Sequence, residues 1–189
     1  MRLVRTVAAT ALGVALLASC SNGEPANETL PPASSSAAET SESLPPLGPP
    51  DMPMPAEARA RSPEGIASFA TYYMSLINRL GNDLDSSYLR ALSRNCSTCD
   101  RIADDADSDL AAGRIYQGGS LIITSIGQAT LTSTGGEVAF VVDQEPLEVL
   151  SSDGATVEEL SSPRLTALPA GLSTTWRSDH WVVTALSFG

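Results

Sequence analysis

Between Ser62 and Gly81 the apolar residues Ile66, Phe69, Ala70, Tyr73, Leu76, Ile77 and Leu80 recur at steps of three and four. That spacing lays one continuous apolar stripe along a helix, and such a stripe must be covered by something else in the chain. Ser62 is a good N-cap, and Pro63 stands where a missing N–H costs nothing. Glu64 lies in the first turn, where the helix dipole favours an anion. Gly81 is placed to supply the left-handed residue that stops the helix.

A shorter helix is expected after Asp85, burying Tyr88, Leu89 and Leu92. A third helix opens at the cysteines and carries Cys99, Ile102, Ala103, Ala106 and Leu110 on one face, with Gly113 to end it. Its other face holds Asp104, Asp105, Asp107 and Asp109, poor helix formers near a C-terminal dipole. This helix therefore depends on its packing and on the cysteine pair.

The chain begins with Arg2 and Arg5, followed by an apolar run, Val7 to Ala18, too short to span a bilayer. The run ends in Leu17-Ala18-Ser19-Cys20 and resembles a bacterial lipoprotein signal, whose cysteine is acylated and becomes the first mature residue. Residues 1–19 are thus expected to be removed, leaving the protein on the extracytoplasmic face of the cell membrane through lipid on Cys20.

From Cys20 to residue 60 the composition shifts to Pro, Ser, Ala, Thr and Glu. Large apolar residues are scarce, so this stretch reads as a disordered tether. In polyproline form its some forty residues reach roughly 120 Å. Residues 61–189, about 130, suffice for a single domain with one core. The chain has 22 acidic residues against 11 basic, every one of the latter Arg. Nucleic acid is excluded as a partner, since binding a polyanion needs clustered cations.

After Gly113 the period becomes strand-like. Ser120 to Ile126 and Glu137 to Asp143 read as partners across the turn Ser133-Thr134-Gly135-Gly136. Leu147 to Leu150 follows Pro146, and Thr156 to Leu160 is read as pairing back across Asp153-Gly154. Leu165 to Trp176, interrupted by Pro169 and Gly171, suits an edge or a bend. The turn Arg177-Ser178-Asp179-His180 leads to a closing strand, Trp181 to Phe188. Helices followed by an antiparallel meander make an α+β fold: N-terminal helices packed on a curved, cone-like sheet.

The helix order, the long closing strands and the Trp181-Val182-Val183-Thr184 ending resemble the nuclear transport factor 2-like, or SnoaL-like, cone fold. A lipobox, a Pro/Ser tether, Phe69 with Tyr72 and Tyr73, Cys96 with Cys99, and Gly118-Gly119 together resemble a family of uncharacterised actinobacterial lipoproteins with a domain of unknown function. The resemblance spans roughly residues 51 to 189. It implies a cone fold and an envelope location and brings no catalytic residue.

With Cys20 acylated, Cys96 and Cys99 remain as an even pair in an oxidising compartment, where a disulfide is the default. A helix start lowers a thiol pKa, so thiol–disulfide exchange is the alternative, but no strand precedes the motif as a thioredoxin-type unit requires. The run Asp105-x-Asp107-x-Asp109 fails as a calcium loop, because its sixth and twelfth positions are Leu110 and Tyr116. His180 is the only histidine, which excludes a multi-histidine zinc site. An enzymatic alternative, isomerase- or hydrolase-like, would use His180 with Asp179 or Asp143. Tyr73, Phe140, Trp176 and Trp181 are candidates to line a pocket or to fill the core. No catalytic residue, metal or cofactor is assigned. The leading expectation is a non-catalytic binding domain for an envelope protein or a small apolar ligand.

Overall fold

A computed structural model describes residues 46–189, which lie within one compact unit. Cys20, the residues read as a signal and most of the tether lie outside the described residues. Helix α1 spans Pro63–Asp83, with the Ser62 hydroxyl accepting the Gly65 N–H at 3.0 Å. Ile66, Phe69, Ala70, Tyr73, Leu76 and Leu80 are buried, as the stripe requires. Burying the largest of these contributes about 1.5–3 kcal/mol each.

Gly81 does not end α1. The helix runs past it, and the left-handed residue is Leu84 at φ 53°, whose N–H reaches the Leu80 carbonyl at 3.0 Å. Helix α2 is Ser87–Ala91 and α3 is Ser97–Ala111, followed by Gly113 at φ 66°. On α3 the stripe of Cys99, Ala103 and Ala106 is buried, but its end is displaced. Leu110 is 56% exposed, whereas Asp109 is only 5% exposed. The two positions flank the stripe, and Asp109 takes the inner one because the Arg114 guanidinium and the Tyr116 hydroxyl both donate to its carboxylate there.

The strands are β1 Ile115–Gly118, β2 Leu121–Ile126, β3 Thr130–Leu131, β4 Gly135–Gln144, β5 Leu147–Leu150, β6 Leu165–Arg177 and β7 His180–Phe188. The main antiparallel sheet runs β2-β4-β6-β7, with β3 pairing β4 beyond β2, and β1 pairs β5 separately. Alternate residues Val138, Phe140 and Val142 of β4, and Ala170, Leu172 and Thr174 of β6, bury one face. The fold is α+β, with helices on an antiparallel sheet.

Two strand expectations change. Thr156 makes a single bridge to Leu150, and Glu158–Leu160 turns as a 3-10 helix instead of a strand. Strand β6 is interior, and its bend falls at Ala167 (φ 55°), whose N–H donates to Asp143 Oδ1 at 2.8 Å.

The domain also begins earlier than residue 61. Met54 and Ala58 are buried, and a 3-10 turn, Ala56–Arg59, packs on α1. Tyr72 fastens this strap by donating to the Met52 carbonyl at 3.0 Å. Gly48, at φ 89°, lies so close that a Cβ there would stand 1.7 Å from the Tyr72 hydroxyl. Composition hides the strap, because its few apolar anchors are spaced among prolines.

Candidate functional site: a hollow between α1, α3 and the β1–β2 connection

Of the four aromatic residues proposed for a pocket, Tyr73, Phe140 and Trp181 are buried core and Trp176 is half-buried. Trp176 meets Trp181 edge-on at 4.7 Å between ring centroids. The Trp181 ring N–H donates to the Ala60 carbonyl at 2.9 Å, which ties the strap to the β6–β7 hairpin. Burial pushes the Tyr73 hydroxyl up to about 12. Tyr73, Phe140 and Trp181 pack in the core between helix and sheet, and Trp176 packs against it.

Cys96 and Cys99 stand at disulfide distance, with Cα atoms 5.2 Å apart. Both are about 1% exposed, and Cys96 Sγ accepts the Cys99 N–H at 3.2 Å. An exchange partner would have no direct approach to either sulfur.

His180 Nδ1 lies 2.9 Å from Asp179 Oδ1, and Asp179 also pairs with Arg59 of the strap. His180 and then Arg59 hold the Asp179 carboxyl below its ordinary range. Asp143 is not part of this group. The register places Gly135 beside Thr175, at the hairpin end of the sheet, and Asp143 lies eight residues further along β4. At about 3.4 Å per residue that is roughly 27 Å away. The Asp143–His180 arrangement is therefore not assembled.

The acidic face of α3 is engaged by α2. Arg90 pairs with Asp104 at 2.8 Å and with Asp107 at 2.6 Å, and the Ser86 hydroxyl donates to Asp107 at 2.6 Å. The hydroxyl first, then the guanidinium, lowers the Asp107 pKa. Among the described residues no three of His, Cys, Asp or Glu are grouped to hold a metal ion.

An open space of about 210 Å³ lies elsewhere, between α1, α3 and the β1–β2 connection. Most of its wall is apolar, with Ile77 and Leu80 from α1, Ile102 from α3, Leu121 from β2 and Leu147 from β5, and Asp105 of α3 and Ser120 add polar groups. Asn78 secures one edge, donating to the Leu121 carbonyl at 2.9 Å and accepting the Leu121 N–H at 2.8 Å. Tyr116 forms another edge, and desolvation together with Asp109 raises its pKa.

Gly118 and Gly119 carry the backbone around the hollow at φ 74° and 76°. A Cβ on Gly118 would stand 2.3 Å from the Pro146 carbonyl oxygen, so no other residue fits there without a shift. Gly81 differs, because a Cβ there would meet only the Gly118 oxygen, at 3.9 Å. The stripe pattern marks Ile77 and Leu80, but it gives Gly81 a terminator's role and leaves Asn78 and Tyr116 unnoticed. The signal for Asn78 is an amide beside the apolar stripe, directly after Ile77.

A family described as one of unknown function, DUF6318, matches residues 40–187. The chain belongs to this family. The DUF6318 match takes in the strap as well as the helices, the cysteine pair and Gly118-Gly119. No curated protein matches the chain. Among solved structures, the intermembrane space region of the chloroplast protein ARC6 is similar at a TM-score of 0.50 and 14% identity, covering 67% of this chain and 95% of that one. That likeness is one of fold alone. Aln2 from a Streptomyces species gives 0.42 at 12% identity, over 67% of this chain and 90% of its own. A designed NTF2 chain gives 0.37 at 9% identity, over 66% and 99%.

Proposed function

We propose that this DUF6318 chain is an actinobacterial-type lipoprotein, held at the extracytoplasmic face of the membrane by lipid on Cys20, whose domain binds a small apolar ligand in the hollow. One observation carries the binding role. Gly81 sits inside α1, where glycine costs about 1 kcal/mol relative to alanine, although a Cβ would be accommodated. The missing side chain widens an apolar concavity that the neighbouring side chains do not fill. Rim groups such as Asn78 and Tyr116 are occupied by internal hydrogen bonds, so the hollow offers apolar surface on a fixed frame. The anchor is supported by the short apolar run ending at Cys20 and by the proline-rich stretch after it.

Two substitutions test the two halves of the proposal. Cys20→Ser should release the protein from the membrane fraction, and a variant that stays there contradicts the anchor. Gly81→Leu should abolish uptake of hexan-1-ol by the hollow while leaving the fold intact by circular dichroism. A folded Gly81→Leu protein that binds the alcohol as the parent does overturns the binding site.

A further inference from the structure

The hollow has a polar preference as well as a size. Asp105 of α3 is the one charged residue lining it among the described residues. Its nearest cation is Arg101 at 3.9 Å, with both side chains 66% exposed, a contact that engages the carboxylate weakly. The guanidiniums around the hollow are already committed, Arg79 to Asp51 and Asp83, and Arg114 to Asp109.

The main chain supplies a second acceptor. In an antiparallel ladder a residue's N–H and C=O point to the same side. Both groups of Leu147 are bonded to Ser162, each at 2.9 Å. Gly118, opposite Leu147 in β1, turns its carbonyl away from β5: the Gly119 N–H of the same trans peptide donates to the Pro146 carbonyl at 2.9 Å, so the Gly118 oxygen points the other way. Its carbonyl oxygen faces Gly81, 3.9 Å from where a Cβ would be. No N–H from outside the strand pair donates to it among the described residues.

We infer that the hollow selects a small primary amine. The alkyl part lies against Ile77, Leu80, Ile102 and Leu121, and the ammonium is shared by the Asp105 carboxylate and the Gly118 carbonyl. An ammonium has three donors and no acceptor, so it can serve the Asp105 carboxylate and the Gly118 carbonyl at once. A cavity of about 150 Å³ holds a benzene; one of about 210 Å³ has room for a chain of about six carbons. An alkyl carboxylate of the same size is repelled by Asp105. This inference rests on the hollow being a binding site, as proposed above.

The test is hydrogen exchange by mass spectrometry on the full acylated chain in phospholipid vesicles, titrated separately with hexylammonium, hexan-1-ol and hexanoate. Protection is read in the segment 114–121. Hexylammonium should protect it at a concentration about tenfold lower than hexan-1-ol, and hexanoate should be weakest. Asp105→Asn, a change at an exposed position, should remove that tenfold advantage, so that hexylammonium and hexan-1-ol protect the segment at similar concentrations. Hexan-1-ol protecting as well as the amine overturns the amine preference while the hollow stands. If no probe protects the segment, the binding site itself fails and the preference with it.

Discussion

Gly81 on α1 and the carbonyl of Gly118 on β1 face one another with room between them for one carbon, since a Cβ on Gly81 would stand 3.9 Å from that oxygen. The two glycines serve opposite purposes. Gly118 is required by its φ of 74° and by the nearby Pro146 oxygen, whereas Gly81 is required by neither.

Gly81→Ala should therefore stabilise the domain by about 1 kcal/mol, the ordinary gain within a helix. Calorimetry should show Tm rising by about 3–5 °C. A fall in Tm means that β1 needs a closer approach to α1 than the distances indicate.

Gly118→Ala should act in the opposite direction. The left-handed backbone and the 2.3 Å approach to Pro146 both have to yield. A loss of about 2 kcal/mol or more is expected from urea unfolding. A midpoint equal to the parent's contradicts the geometry of the turn.

Tyr72→Phe deletes the donor to Met52 and leaves the ring in place. Stability should fall by about 1 kcal/mol. Because the contact holds the strap, the amide of Met54, which donates to Leu47 at 2.7 Å, should exchange faster than amides of the main sheet. Uniform acceleration across the domain argues that the strap is no separate unit.

Asp179 links acid stability to the strap. Its folded pKa lies below the ordinary carboxylate value because of His180 and Arg59, so its contribution is present above about pH 4 and is lost as the pH falls through the folded value. Urea midpoints at pH 6 and pH 3 should differ less in Asp179→Asn than in the parent. Equal differences in the two proteins remove Asp179 from the acid response.

Much of the architecture was legible because it depends on neighbours in sequence. Ser62, Pro63 and the 3–4 spacing define α1, Gly113 follows α3, and alternation along Glu137 to Asp143 marks β4. These are one-dimensional signals, each carried by backbone preference or by the period of one element. The cysteine pair belongs with them, since three residues of separation at a helix start bring Cys96 and Cys99 within reach.

The hollow was not legible in that way. Whether Gly81 ends a helix or opens a space depends on what packs opposite it, and Gly118 arrives there only through the pairing of β1 with β5. Asp109 and Leu110 exchange expected places because Arg114 and Tyr116 come round to the carboxylate after the chain turns at Gly113. Residues 47–60 look like tether until Tyr72 and Trp181 supply partners for their carbonyls. Local sequence thus determined the helices, most strands and the α+β class. Only the packing decided which side chains were closed into the core and where a space remained, because burial and partner choice belong to pairs of elements and not to either one alone.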